Sequence, residues 1–163
     1  MAWSGTQNSV FAAWFPAPCL KLGATGYGGL VADTINTALY NNTTTPDRTV
    51  AVGSSGYNTG VWVTGNEVTG GSDWVAGGRA VPATKTVTAS AAVTTFSSST
   101  NLSSAATATI TAYGCLLYDN TITAGTVAKQ GVCFLDFGGA QTCTSGTFSL
   151  NWNASGIFTI TVS

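Results

Sequence analysis

Alternation of apolar and polar positions begins at Thr34, where Ile35, Thr37 and Leu39 fall on one face and Asn36, Ala38 and Tyr40 on the other. That period of two predicts a half-buried strand. A second strand region covers residues 81–96, with Thr84, Thr86 and Thr88 alternating with Lys85 and Val87, and residues 97–101 close it with Ser, Thr and Asn. Thr107, Thr109 and Thr111 against Ala106, Ala108 and Ile110 open a long strand that runs to Tyr118 and ends at Asp119-Asn120. Residues 127–137 form the next strand, and Gly138-Gly139 is expected to reverse the chain as a hairpin turn.

The C-terminal pattern is the clearest: Phe148, Leu150 and Trp152 share one face, residues 153–156 make a turn, and Phe158, Ile160 and Val162 share one face of the final strand. A hairpin burying these six side chains in one core is expected. About seven short strands, with no 12-residue amphipathic helix, predict an all-β fold. The expectation is a single β-sandwich, jelly-roll-like or immunoglobulin-like, over residues 30–163, with a short helix near residues 65–71 optional.

Two segments break the pattern. Residues 1–29 interleave Trp3, Phe11, Trp14, Phe15 and Tyr27 with Pro and Gly and keep neither period. They are expected to form an N-terminal arm or extension, lying on a neighbouring subunit or packed across an end of the domain itself. Residues 41–60 are polar and carry the turn signal Thr45-Pro46-Asp47, so they predict a long exposed loop and a candidate contact surface.

Composition narrows the function. Only 7% of the 163 residues are charged and the formal net charge is −1, with Lys21, Arg48, Arg79, Lys85 and Lys129 scattered singly. No basic stripe exists to release counterions from a phosphate backbone, so nucleic acid is not an expected partner. No apolar run approaches the roughly 20 residues that span a bilayer, and no basic residue with an apolar stretch behind it makes a signal peptide, so no membrane partner is expected. Low charge combined with 44% hydrophobic residues predicts a folded chain.

The chain has no histidine, which removes the usual general base and the ordinary Ser-His and Cys-His pairs. No enzyme activity is expected, and no catalytic, cofactor-binding or metal-binding residue is assigned. Asp119 and Asp136 each precede a turn, where a carboxylate accepts hydrogen bonds from following amides. Gly23, Gly26, Gly28 and Gly29 lack the Lys and Ser/Thr of a phosphate loop. Cys19, Cys115, Cys133 and Cys143 show no CxxC spacing and read as free, buried thiols; Cys133 and Cys143 come close only if the chain reverses between them. Trp62 and Trp74 are the candidates for an exposed sugar-binding platform.

Two stretches carry a resemblance. The first is Asn66-Glu67-Val68-Thr69-Gly70-Gly71-Ser72-Asp73-Trp74-Val75-Ala76-Gly77-Gly78. The second comprises Tyr113-Gly114-Cys115-Leu116-Leu117-Tyr118-Asp119, Leu135-Asp136-Phe137-Gly138-Gly139 and residues 146–158. In order and spacing, over residues 34–163, they resemble small β-rich virion proteins of tailed bacteriophages, of the capsid decoration or minor capsid type. That resemblance implies a capsid decoration, or cement, protein that binds and stabilises the lattice of the major capsid protein. It also implies self-association, with a homotrimer as the common form, a place on the outer capsid surface, and assembly in the host bacterial cytoplasm. The candidate capsid or subunit contacts are then Trp3, Phe11, Trp14 and Phe15. The alternative is a phage fibre, spike or adhesin module binding host surface polysaccharide.

Overall fold

The computed structural model describes residues 9–10, 29–90 and 93–161. It is an all-β, sandwich-type fold in which antiparallel sheets pack together. The main sheet contains β1 (Ser9–Val10), β2 (Ile35–Tyr40), β3 (Glu67–Val68), β4 (Arg79–Ala80), β8 (Ala108–Asp119) and β9 (Gly131–Gly146). Its strand order is β1-β9-β8-β2-β3, with β4 also paired to β2. A three-stranded sheet is formed by β5 (Lys85–Ser90), β6 (Val93–Ser98) and β11 (Phe158–Thr161) in the order β11-β6-β5. A small ribbon joins β7 (Leu102–Ser103) to β10 (Ser149–Leu150).

β2 is buried on both faces rather than half-buried. It lies between β8 on one side and β3 and β4 on the other, and every residue except Asn36 is withdrawn from solvent. β8 records the same change along its own length. Residues 108–112 alternate buried and exposed as expected for a one-sided strand, whereas residues 114–119, paired to β2 and β9 together, are continuously buried. A strand covered on both faces needs no polar alternation, so Cys115-Leu116-Leu117-Tyr118 reads as an unbroken apolar run.

Segment 41–60 was expected to be an exposed loop, and Asn42, Thr43, Asp47, Arg48, Thr49, Ala51, Gly53, Asn58 and Gly60 are exposed, but Thr44 and Pro46 are buried among them. The segment is therefore anchored rather than free-standing. Ser55 and Tyr57 are buried, and a single 3₁₀ turn at Val52–Ser54 starts the descent onto the sheet. A second 3₁₀ turn, Thr64–Asn66, is all that appears of the optional helix near residues 65–71. Trp62 lies edge-on to Tyr40, with centroids 5.1 Å apart, and tilts over Phe134 at 5.6 Å. The Tyr40 hydroxyl donates to the Trp62 carbonyl at 2.8 Å, which provides a partner for the buried phenol.

Three expectations about turns are corrected. Residues 81–96 are not one strand but most of the β5–β6 pair, in register from Lys85↔Ser98 to Ser90↔Val93. Gly138-Gly139 does not reverse the chain: β9 runs through it for 16 residues. Gly114 faces Asp136 and Ala112 faces Gln141, so Tyr113 alone stands opposite residues 137–140 and the extra residues bulge out. The glycines permit this because Gly138 and Gly139 sit at φ 76° and 145°, where a side chain would be strained.

The C-terminal hairpin is likewise absent. The segment holding Phe148 and Leu150 pairs with β7, and the segment holding Phe158 and Ile160 pairs with β6, so the two belong to different sheets. Only Phe148 is buried; Leu150, Trp152, Phe158 and Ile160 are half-buried at the margin of the core, and Val162 lies outside the described residues. Alternation marked these strands correctly but contained nothing about which strand each would pair with.

Candidate functional site

Glu67, Gly77 and Gly78 of the 66–78 segment that carries the resemblance build a clip. The Glu67 carboxylate accepts the Tyr57 hydroxyl at 2.7 Å on one oxygen and the Gly77 amide at 2.8 Å on the other, while the Gly78 amide donates to the Val75 carbonyl at 2.9 Å. Gly77's carbonyl in turn accepts from the Tyr118 hydroxyl at 2.7 Å and from Asn36 Nδ2 at 3.0 Å. Gly78 must be glycine: at φ 66° it sits against β2 so closely that a Cβ would overlap the Thr37 carbonyl. Lys129 Nζ lies 5.2 Å from the Tyr57 ring centroid, close enough for a cation–π contact.

Burial dominates the electrostatics of this clip. It raises the Glu67 carboxyl above the ordinary value, against the opposing effect of its donors and of Lys129. It raises Tyr57 and Tyr40 further than an ordinary phenol, and pushes Tyr118 up to about 12. These phenols therefore stay neutral donors across the accessible range. Each named group is committed to holding the segment in place, so the cluster is structural.

Trp62 and Trp74 do not form a platform: both are 0% exposed. Trp74 packs edge-on to Phe148 at 6.0 Å, and Arg79 lies 5.9 Å from its ring while donating to the Ser103 carbonyl. Both tryptophans lie near loops, and nothing local in the sequence distinguishes an exposed loop from one that folds back into a core. Asp119 and Asp136 do what turn chemistry predicts. Asp119 Oδ1 accepts the Thr121 amide at 2.9 Å, and Asp136 Oδ1 accepts the Gly138 amide at 2.8 Å.

Cys133 and Cys143 lie on one strand, opposite Leu117 and Ile110 of β8 respectively. Seven residues of extended chain separate those partners, about 24 Å at the rise of a strand, so the two thiols cannot bond. Cys115 and Cys133 are free and buried, and burial pushes both thiols well above their ordinary value; Cys143 is free and half-buried. Among the described residues, no three His, Cys, Asp or Glu side chains gather to hold a metal ion. None of the described helices is long and apolar enough to cross a membrane.

What remains for contact is the second half of β9. Beyond the bulge its residues are largely exposed, and an open groove of about 440 Å³ lies between it and the chain around β10. Phe137, Cys143, Phe148 and Leu150 give the groove an apolar lining, while Thr142 and Ser149 add hydroxyls. On the outer edge of β9 the strand β1 pairs antiparallel, Ser9 with Phe134 and Val10 with Cys133. Among the described residues, no other strand pairs with that edge. Sequence reasoning missed this groove because Phe137 and Phe148 meet only through the bulge and the β7–β10 ribbon. Trp3, Phe11, Trp14 and Phe15 lie outside the described residues. No protein-family model, curated protein or solved structure matches the chain.

Proposed function

We propose that the protein is a structural component of a tailed-phage virion, a capsid decoration protein that binds the major capsid protein lattice through added strands at the β9 edge. The observation that carries the reading is the pairing of β1 with Phe134 and Cys133, because it puts a short strand from the N-terminal segment on an edge that stays open further along. Strand addition supplies affinity through main-chain hydrogen bonds, and the adjoining groove selects among side chains. A chain with 7% charged residues lacks the electrostatic means to discriminate partners, which makes this backbone-based mode the fitting one. Repetition over a lattice then multiplies a modest single contact.

The order of motifs shared with the virion family supports the same reading, although Glu67, Trp74, Gly77 and Gly78 speak for a shared fold rather than a shared partner. Burial of Trp62 and Trp74 leaves the polysaccharide-binding alternative without the two tryptophans put forward for its platform. The test is deletion of residues 2–29, followed by stability measurement and co-sedimentation with capsids stripped of the native protein. The expected result is a folded β domain that no longer binds. A folded deletion variant that still co-sediments would overturn the arm's role. A copy number of a handful per particle, instead of hundreds, would overturn the decoration role.

A further inference from the structure

The open groove beside β9 is an unfinished part of the core. Gln141 and Cys143 stand opposite Ala112 and Ile110 of β8, both buried, so their side chains point to the inner face of the main sheet. Phe137, Phe148 and Leu150 complete an apolar floor, yet Gln141 remains exposed and Cys143 only half-buried. None of the residues lining the groove is Asp, Glu, Lys or Arg. Its complement is therefore an uncharged, apolar side chain.

The register of β1 fixes a direction. Ser9 faces Phe134 and Val10 faces Cys133, so a chain that stays extended ahead of Ser9 travels along β9 towards its Gly146 end. β8 serves as the ruler, because Phe134 pairs with Leu116 and Cys143 with Ile110, six residues apart. Trp3 also stands six residues ahead of Ser9. At the rise of a strand both intervals are about 20 Å, so position 3 comes level with Cys143. β9 takes nine residues over the same interval because of its bulge, a detour that a neighbouring strand need not follow. Parity agrees with distance. Directly opposed residues share a face, as do residues an even number apart on one strand, so position 3 points the way that Phe134, Leu116, Ile110 and Cys143 point, into the groove.

We propose that the groove is the seat of the chain's own Trp3, which packs against Phe137, Phe148 and Leu150 over Cys143 and closes the open side of the core. Trp3 itself lies outside the described residues, and the lining, register and spacing of the seat assign it. Residues 3–8 are Trp-Ser-Gly-Thr-Gln-Asn, with no charged side chain and one large apolar one, so Trp3 alone in that stretch has much surface to bury. An enclosed aromatic side chain buries about 150–250 Å². The bulge interrupts the backbone ladder along β9, so a side-chain anchor beyond it is what holds the segment there. The first side chain that the groove selects is then the chain's own. The seat needs no partner and its test no capsid, so it stands or falls separately from the virion reading.

Full-length chains carrying Trp3→Cys or, as control, Ser4→Cys test the position. Under mild oxidation Trp3→Cys should form a disulfide with Cys143 inside one chain, read by peptide mapping and by migration as a monomer without reductant. Ser4→Cys, on the opposite face, should form none. Trp3→Ala tests the packing. If the seat is open in about 10% of wild-type molecules or fewer, Cys143 should react with a thiol reagent about tenfold faster or more in this variant, with its circular dichroism unchanged. A bond that joins two chains would assign the groove to a neighbouring copy and overturn the proposal. A bond to Cys143 formed as readily from position 4 as from position 3 would overturn it too. So would the absence of the Trp3→Cys bond together with an unchanged Cys143 rate in Trp3→Ala.

Discussion

Tyr57 and Tyr118 stack with centroids 4.7 Å apart and planes 15° from parallel, and their hydroxyls reach two ends of one clip, Glu67 and the Gly77 carbonyl. The stack ties the segment around Gly77 to the central strand β8. Replacing Glu67 by Ala leaves the Tyr57 hydroxyl and the Gly77 amide without their acceptor. At about 1.5–3 kcal/mol for a hydrogen bond to a charged group, and with water replacing part of the loss, the variant should lose about 3 kcal/mol by urea denaturation.

Gly78→Ala should be among the most damaging single changes. It combines a φ of 66° with overlap of the carbonyl of the fully buried Thr37, and neither can relax without moving β2. Recovery of soluble protein and its thermal midpoint are the measurements. Gly53→Ala, where a Cβ meets nothing within 4 Å, is the control and should be nearly neutral.

Tryptophan substitutions should separate by burial. Trp62→Ala and Trp74→Ala each remove a fully enclosed indole and should cost about 3–5 kcal/mol. Trp152 is half-buried and donates from Nε1 to the Thr100 carbonyl at 3.0 Å, so Trp152→Ala should cost only about 1–2 kcal/mol. Chemical denaturation of the three variants in parallel gives the order.

Thiol labelling provides a separate check. In native protein, Cys143 should react with a thiol reagent while Cys115 and Cys133 stay silent until the chain unfolds, because burial denies access and disfavours the thiolate. Mass mapping of the labelled peptides distinguishes the sites. A Cys133–Cys143 disulfide in folded protein would contradict the β9 geometry.

Much of the fold was legible from the chain. Alternation along residues 106–111 located the one-sided half of β8, and the carboxylates of Asp119 and Asp136 marked the places where backbone amides needed an acceptor. What failed was pairing. Gly138-Gly139 has the composition of a hairpin turn, and only the register with β8, set by distant residues, makes it a bulge. Phe148 to Val162 shows the two apolar faces of a hairpin, yet those faces serve different sheets. The candidate groove was invisible for the same reason. It arises where a bulge meets a separate ribbon, and no local pattern encodes that meeting.

The bulge at residues 137–140 also limits what the edge of β9 can become. A straight 16-residue strand with an open side would offer an uninterrupted ladder to any extended chain, including further copies of itself, and growth by stacking would have no natural end. With four residues set against Tyr113 alone, an incoming strand meets a break in spacing partway along and can zip up only a short stretch. The protein thereby offers a place for a finite neighbour without supplying a seed for fibres.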